Sequence, residues 1–297
     1  MTHYPSYRSA EGVPELFPAL LRMVRPGLTV AVLLAGYTGM VLGDGGFPPC
    51  GVTLGVLFAL AMTAAGAVIL NGVVERKKDA GLHRLRRRVA ALHRVGVVPA
   101  TCIGSALIVA GLATAWLSAN RLTLLLLATA VVFYVLLYTC WLKRLPHGTV
   151  PGGVPGALPV LVGYAAVRDT LGPEALFLFL ILFLWQPPHF WLLTLHHGDD
   201  YRRARIPAPI TTGDTRYACL LIRSYIVALL PATLSLWLFG YCSWRYAVVT
   251  GICWLQFAVT AWRPDRRNRA VTAFRFSIIF LTVLCLAVIL DRGMHFT

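Results

Sequence analysis

The sequence predicts an all-α polytopic membrane protein, a single bundle of about nine transmembrane helices with its N-terminus in the cytoplasm. Three observations predict it. Of the 297 residues, 58% are hydrophobic and 13% charged, against roughly 25% charged in an ordinary soluble domain, and the mean hydropathy is +0.70. The apolar residues come in long blocks instead of amphipathic stripes. The basic residues sit between those blocks, nearly all on one set of alternate loops.

A helix needs about 20 mostly apolar residues to cross bilayer hydrocarbon. Residues 1–25 contain Glu11 and Glu15 and lack the basic-then-apolar start of a cleavable signal, so they read as a cytoplasmic segment and the first helix as retained. Segments suited to spanning follow near 28–43, 52–74, 98–117, 122–142, 150–167, 175–195, 217–239, 246–262 and 273–290, giving one membrane domain over 26–291 and a short tail at 292–297. The fifth segment is interrupted by Pro151, Pro155 and Pro159 with Gly152, Gly153 and Gly156. Such a stretch survives in lipid only where neighbours satisfy the freed backbone groups.

Nine helices from a cytoplasmic start put the loops after helices 2, 4, 6 and 8 inside. Only Arg121, Arg168, Arg245 and Arg292 fall on the other side; the remaining 23 of the 27 basic residues fall inside. A missed or extra helix would invert every later loop, so the asymmetry supports the count. The net charge of +15 is therefore topological, and nucleic acid is excluded as a partner. The seven cysteines stand singly, without the spacings of a zinc site, and read as small core residues.

Chemistry is sought where the 12 acidic residues gather. Asn71, Glu75 and Asp79 at the end of helix 2 are spaced four apart, on one helix face. Asp199, Asp200 and Tyr201 follow His196 and His197 at the end of helix 6. Both groups lie at helix C-termini, where the dipole disfavours anions by a few tenths to about 1 kcal/mol. A divalent cation reverses that sign, and Mg²⁺ prefers one or two carboxylates completed by water and phosphate oxygens. Arg76, Lys77, Lys78, Arg84, Arg88, Lys143, Arg144, Arg202 and Arg203 are placed to hold a diphosphate beside it. The competing reading is a solvated cytoplasmic flank. His189 lies within helix 6 after Pro187 and Pro188, and an ionisable group at such depth is a functional-site hypothesis; the alternative is a neutral histidine bonded to a freed carbonyl. Trp185, Phe190, Trp191, Tyr134 and Tyr138 are suited to lining a cavity, and Trp141, Trp244 and Trp262 to anchoring at the interface.

Trp185, Gln186, Pro187, Pro188, His189, Phe190 and Trp191, followed by Asp200, Tyr201, Ile206 and Pro207, resemble the signature of the protoheme IX farnesyltransferase (heme O synthase) family of the intramembrane UbiA-type prenyltransferases. Further likeness lies in Arg25, Pro26, Leu28 and Thr29; in Tyr138, Thr139, Leu142, Lys143, Arg144, Gly148 and Thr149; in Gly156, Ala157, Pro159, Gly163 and Tyr164; and in Phe276, Ser277, Ile278 and Ile279. The resemblance implies a nine-helix multi-pass protein of the cell (inner) membrane, with a central cavity and site loops on the cytoplasmic side. It implies farnesyl diphosphate and heme B as substrates, Mg²⁺ as cofactor, and heme A synthase or a terminal oxidase as the recipient of product. Catalytic roles fall on Asn71, Glu75, Asp79, Asp200 and Tyr201, with the metal on Glu75, Asp79, Asp199 and Asp200. Diphosphate contacts fall on Arg76, Lys77, Arg84, Arg88, Lys143, Arg144 and Arg202, and heme contacts on Trp185, His189, Trp191 and His197.

The chain departs from the family at the diphosphate end. Three alternating Asp in the first motif are Glu75, Lys77 and Asp79 here, Ala204 and Arg205 replace Ala-Gly, and Val271 and Thr272 align with two basic residues. Two readings follow: Lys77 touches diphosphate and replaces one charge of the metal cluster, or the chain keeps a heme- or lipid-binding pocket and has lost the chemistry. A prenyltransferase acting on a quinone precursor is a further alternative, against which the Pro-Pro-His segment argues. A transporter would place its site near the midplane, whereas these acidic groups sit at one face.

Overall fold

A computed structural model describes residues 16–204, 206–264 and 267–294. The expectations for Glu11, Glu15, Arg205 and the last three residues lie outside them. Every apolar segment forms a helix: α2 (Pro26–Asp44), α3 (Cys50–Asp79), α5 (Val97–Ser118), α6 (Arg121–Val132), α7 (Thr149–Arg168), α8 (Pro173–His196), α11 (Thr215–Leu238), α12 (Trp244–Ala261) and α13 (Arg267–Gly293). Among the described residues eight spans are long and apolar enough to cross a membrane. The helix outside that set is α12, whose 18 residues include Arg245 and Gln256. The protein is a multi-pass membrane bundle.

Among the described residues there are also four short α-helices: α1 (Leu16–Val24), α4 (Arg86–Val95), α9 (Gly198–Arg203) and α10 (Pro209–Thr212). The first of these, α1, was not expected and lies in the segment read as a cytoplasmic extension. Its Ala19 and Met23 are buried against Ile69 and Val73 of α3 and Ala91, Leu92 and Val95 of α4, while Phe17 and Leu21 stay exposed. A helix with one packed and one outward apolar edge suits the membrane interface.

Each long helix packs on the next in sequence, and α13 returns to α2 to close the ring. The α8, α11, α12 and α13 side is filled by Trp191, Tyr246, Phe257 and Phe280. The other side is filled by Met40, Val56, Leu60, Leu127 and Val162. None of the seven cysteines forms a disulfide; Cys219, Cys242 and Cys285 are buried, and Cys50 and Cys102 face outward. Trp141, Trp244 and Trp262 are exposed, as interface anchors would be.

The proline-rich fifth segment is a continuous helix, with Pro155 and Pro159 inside it and buried. Its neighbour supplies a polar partner: Gln186 Nε2 of α8 donates to the Gly153 carbonyl at 2.9 Å. On its other side α7 meets α2 backbone to backbone. A Cβ at Gly39 would press on the Val160 carbonyl, whose carbon is 2.9 Å away, and one at Gly163 would press on the Gly36 carbonyl, with Met40 N at 3.1 Å. Small residues are the means by which membrane helices gain such contact, since lipid offers no hydrophobic drive for helix association.

Gly39→Ala is expected to lower the thermal unfolding midpoint in detergent, costing about 1–3 kcal/mol of overpacking. Gly251→Ala, where nothing lies within 4 Å of the added carbon, should be neutral or gain up to about 1 kcal/mol. Equal midpoints for the two variants would remove the close contact as a source of stability.

Candidate active site

The last turns of α3 divide by face. Asn71, Glu75 and Asp79 are buried, while Arg76, Lys77 and Lys78 are exposed. At about 100° per residue, Lys77 lies about 200° around the axis from both Glu75 and Asp79. The helix thus turns the Lys77 departure away from the acidic face, contrary to the expectation that it meets diphosphate there. Arg76 is also turned away, donating from Nη1 to its own Val73 carbonyl at 2.8 Å.

Both carboxylates are ion-paired. Lys143 Nζ donates to Glu75 Oε2, and Arg88 Nη1 donates to Asp79 Oδ2 at 3.1 Å. Arg88 reaches in from α4, donating through Nη2 to the Val68 carbonyl at 2.5 Å and to Asn71 Oδ1 at 3.4 Å. Room for its guanidinium comes from Gly72, where a Cβ would stand 2.6 Å from Arg88 Nη2. Burial lowers the pKa of Arg88 and the Asp79 carboxylate opposes the shift. Asn71 Nδ2 donates to Glu75 Oε2 at 2.8 Å and to Thr139 Oγ1 at 3.2 Å, which orients its amide oxygen toward Arg88.

Thr139 and Lys143 arrive from α6 through a π-helical turn, Phe133–Tyr138. Turns of this kind occur often at functional sites. Here Thr139 Oγ1 donates to the Tyr134 carbonyl five residues back, at 2.7 Å. Tyr134 and Tyr138 stack at 5.9 Å, and Lys143 Nζ lies 5.9 Å from the Tyr138 ring centroid.

The second acidic group meets the segment that follows the first. Arg84 Nη2 donates to the Tyr201 hydroxyl at 2.7 Å and the guanidinium lies 5.7 Å from that ring's centroid. Burial raises the Tyr201 pKa, with Arg84 pulling it back. Beneath this contact Leu82, Tyr201 and Ile206 form a small apolar cluster. Asp199 faces the other way, on the exposed surface, paired with Arg202 at 2.8 Å. Asp200 and His197 join them around a polar cleft of about 450 Å³. The expected ligand set of Glu75, Asp79, Asp199 and Asp200 is not assembled, and among the described residues no three His, Cys, Asp or Glu side chains converge. Arg144 is exposed.

Deeper in the bundle, the ring of His189 is sandwiched between Trp185 at 4.4 Å and Phe274 of α13 at 4.5 Å. Its Nδ1 lies 2.6 Å from Ser277 Oγ, and Trp185 Nε1 donates to the Ser277 carbonyl at 2.7 Å. In the alternative reading His189 would bond a freed carbonyl; its partner here is this hydroxyl. Trp191 does not share the site: it is 1% exposed in the core against Tyr225. His197 stands eight residues beyond His189, about 12 Å along the axis at 1.5 Å per residue, with His196 beside it at 4.3 Å.

Sequence reasoning missed Gly72, the roles of Thr139 and Ser277, and Arg25. Arg25 joins α1 to α2 with left-handed backbone angles, φ 55° and ψ 70°, and its charge bears on both Arg88 and Tyr201. Such backbone in a residue other than glycine is often a mark of a functional site. The Arg25-Pro26 pair was the signal available for it.

A model of the UbiA prenyltransferase family matches residues 32–284. A protein named protoheme IX farnesyltransferase from Geotalea uraniireducens (strain Rf4) is 44% identical over 257 residues, 85% of this chain and 98% of that protein. One of the same name from Hahella chejuensis (strain KCTC 2396) is 36% identical over 276 residues, 91% of this chain and 92% of that protein. Among solved structures, one described as concerning digeranylgeranylglyceryl phosphate synthase in membranes superposes with a TM-score of 0.76 at 17% identity, covering 94% of this chain and 99% of that one. A UbiA homolog from Archaeoglobus fulgidus bound to GPP and Mg²⁺ gives 0.67 at 16% identity, covering 91% and 99%. At such identities these two establish the fold alone.

Arg88→Met is expected to destabilise the protein by about 3–5 kcal/mol, because Asp79 is left buried and unpaired. Adding Asp79→Asn should recover most of that loss in a detergent unfolding assay. A double variant no more stable than Arg88→Met would exclude the ion pair as the cause.

Proposed function

This chain belongs to the UbiA prenyltransferase family, and from that premise we propose that it transfers the farnesyl group of farnesyl diphosphate to a vinyl group of heme B, giving heme O. The observation that carries the reading is the intact inner face of α3: Asn71, Glu75 and Asp79 turn inward together while Lys77 turns out. The reading of a heme-binding homologue without turnover rested on the departures at the diphosphate end taken together, and Lys77, the one that inverts a charge, is turned from the acidic face. The relatives at 44% and 36% identity bear the name of this activity.

The residues fit a divalent cation. Asn71, Glu75 and Asp79 offer hard oxygen donors on one buried face, and Mg²⁺ accepts one or two carboxylates completed by water and phosphate oxygens. When bound, Mg²⁺ supplies charge to the departing diphosphate. Lys143, Arg88 and Arg84 lie beside that face, and Arg84 Nε and Arg88 Nε are buried donors without a partner among the described residues. These guanidinium and ammonium groups hold the diphosphate as the farnesyl C1–O bond breaks and the electron pair leaves with oxygen. Tyr134 and Tyr138 present their ring faces to the allylic cation. The vinyl π electrons of heme B then bond to C1, and water adds to the resulting porphyrin-side cation with loss of a proton. Exclusion of water until that step falls to the surrounding helices. We place the site at the cytoplasmic face of the inner membrane, on the strength of the basic loops that share its end of the bundle.

Membranes containing the protein, supplied with heme B, farnesyl diphosphate and Mg²⁺, should yield an extracted heme with the hydroxyethylfarnesyl mass. Unchanged heme B, with the protein shown folded and an active relative run alongside, would sink the proposal. In the same assay Asp79→Ala should lose about 10²-fold or more. Lys77→Ala and Lys77→Asp should stay within about twofold of the unmodified protein, as exposed substitutions do, with unaltered Mg²⁺ dependence. A large response at Lys77 would return that residue to the site.

A further inference from the structure

We propose that Ser277 is a positioning residue that holds His189 in its Nδ1–H tautomer, so that Nε2 presents a lone pair to the iron of the porphyrin substrate. The inference rests on the reading of heme as the acceptor and adds the group that orients it.

The argument is a count of protons. Ser277 is fully buried, and its Oγ stands 2.6 Å from the Phe274 carbonyl oxygen and 2.6 Å from His189 Nδ1. Two oxygens at that separation repel unless a hydrogen lies between them, and a carbonyl has none to give. The single hydroxyl proton is therefore committed to Phe274, and Ser277 Oγ can only accept from the imidazole. The proton on the ring must sit at Nδ1. A neutral imidazole protonated there carries its lone pair on Nε2.

The ring is held in this pose. Trp185 and Phe274 stack on its two faces with interplanar angles of 23° and 24°. Trp185 is anchored through Nε1 to the Ser277 carbonyl at 2.7 Å, so α13 holds both the histidine and the indole that covers it. A half-turn of the imidazole would put a carbon against the serine and forfeit the bond. Partners of this kind fix the tautomer of ligating histidines and raise their basicity, and their loss costs about 10–100-fold in metal affinity.

The test uses the full chain in detergent. Ferric heme B is titrated in and its axial ligation read by resonance Raman and EPR, for the unmodified protein, Ser277→Ala, Ser277→Thr and His189→Ala. Ligand-free protein labelled with ¹⁵N-histidine reports the tautomer without heme. We expect a histidine-ligated heme in the unmodified protein, an affinity about 10–100-fold lower with an altered iron–histidine band in Ser277→Ala, and recovery in Ser277→Thr. The Nδ1–H signature should be present in the ligand-free protein and weakened by Ser277→Ala. Histidine ligation unaffected by Ser277→Ala, or a loss that threonine fails to restore, overturns the positioning role alone. Ligation that survives His189→Ala overturns the choice of ligand. Unmodified protein that takes up no heme overturns both the ligand and the proposed acceptor.

Discussion

Glu75 and Asp79 bring two buried carboxylates to the C-terminal end of α3, where the backbone dipole already concentrates negative charge. Left alone, that arrangement would be strongly unfavourable. Arg88 comes from α4 and Lys143 from the turn after α6, each to one carboxylate. Arg84, just before α4, then carries the contact to Tyr201 in α9. The polar end of the bundle is assembled around these charges, so one electrostatic demand fixes the relative positions of four chain segments far apart in sequence. The same cations would serve a diphosphate, which makes the structural and chemical requirements hard to separate by substitution.

The frame that holds those segments has a different origin. Apolar helices in lipid gain little from mutual burial, and the ring of neighbours relies on close packing. The backbone contact of α2 with α7 at Gly36, Gly39 and Gly163 is its tightest point. Gln186 of α8 adds a polar bond to α7, donating to the Gly153 carbonyl. The Trp185, His189 and Ser277 group repeats the theme between α8 and α13: polar side chains within the bundle are matched across helices instead of being left to water.

Much of this was legible in the sequence. The apolar segments that form helices and the shared face of Asn71, Glu75 and Asp79 needed only periodicity and bilayer thickness. Two of the misplaced residues share one cause. Lys77 and Trp191 sit inside contiguous motifs, two positions from residues that do face the site, and two positions on a helix is nearly the opposite side. A motif is a string, whereas a helix sorts the string by face. The pairing of Glu75 with Lys143 and the choice of Arg88 over Arg86 and Arg87 depend on tertiary approach, which no local pattern encodes. The amphipathic α1 and the π-helical turn of α6 left no cue that was used.

That π-helical turn has a consequence for how the chain can vary. It holds one residue more than an α-helical path over the same rise. Deleting one residue between Phe133 and Tyr138 would take up that extra residue and return the helix to a regular repeat, leaving Thr139 and Lys143 in register with Asn71 and Glu75. What such a deletion removes is the bulge itself, with the bond from Thr139 to the carbonyl five residues back. A deletion in the regular part of α6 has no bulge to absorb it and would swing Lys143 about 100° from Glu75. Length is therefore free to change by one residue inside this turn and nowhere else along α6, and the turn acts as the slack in the register of the active end.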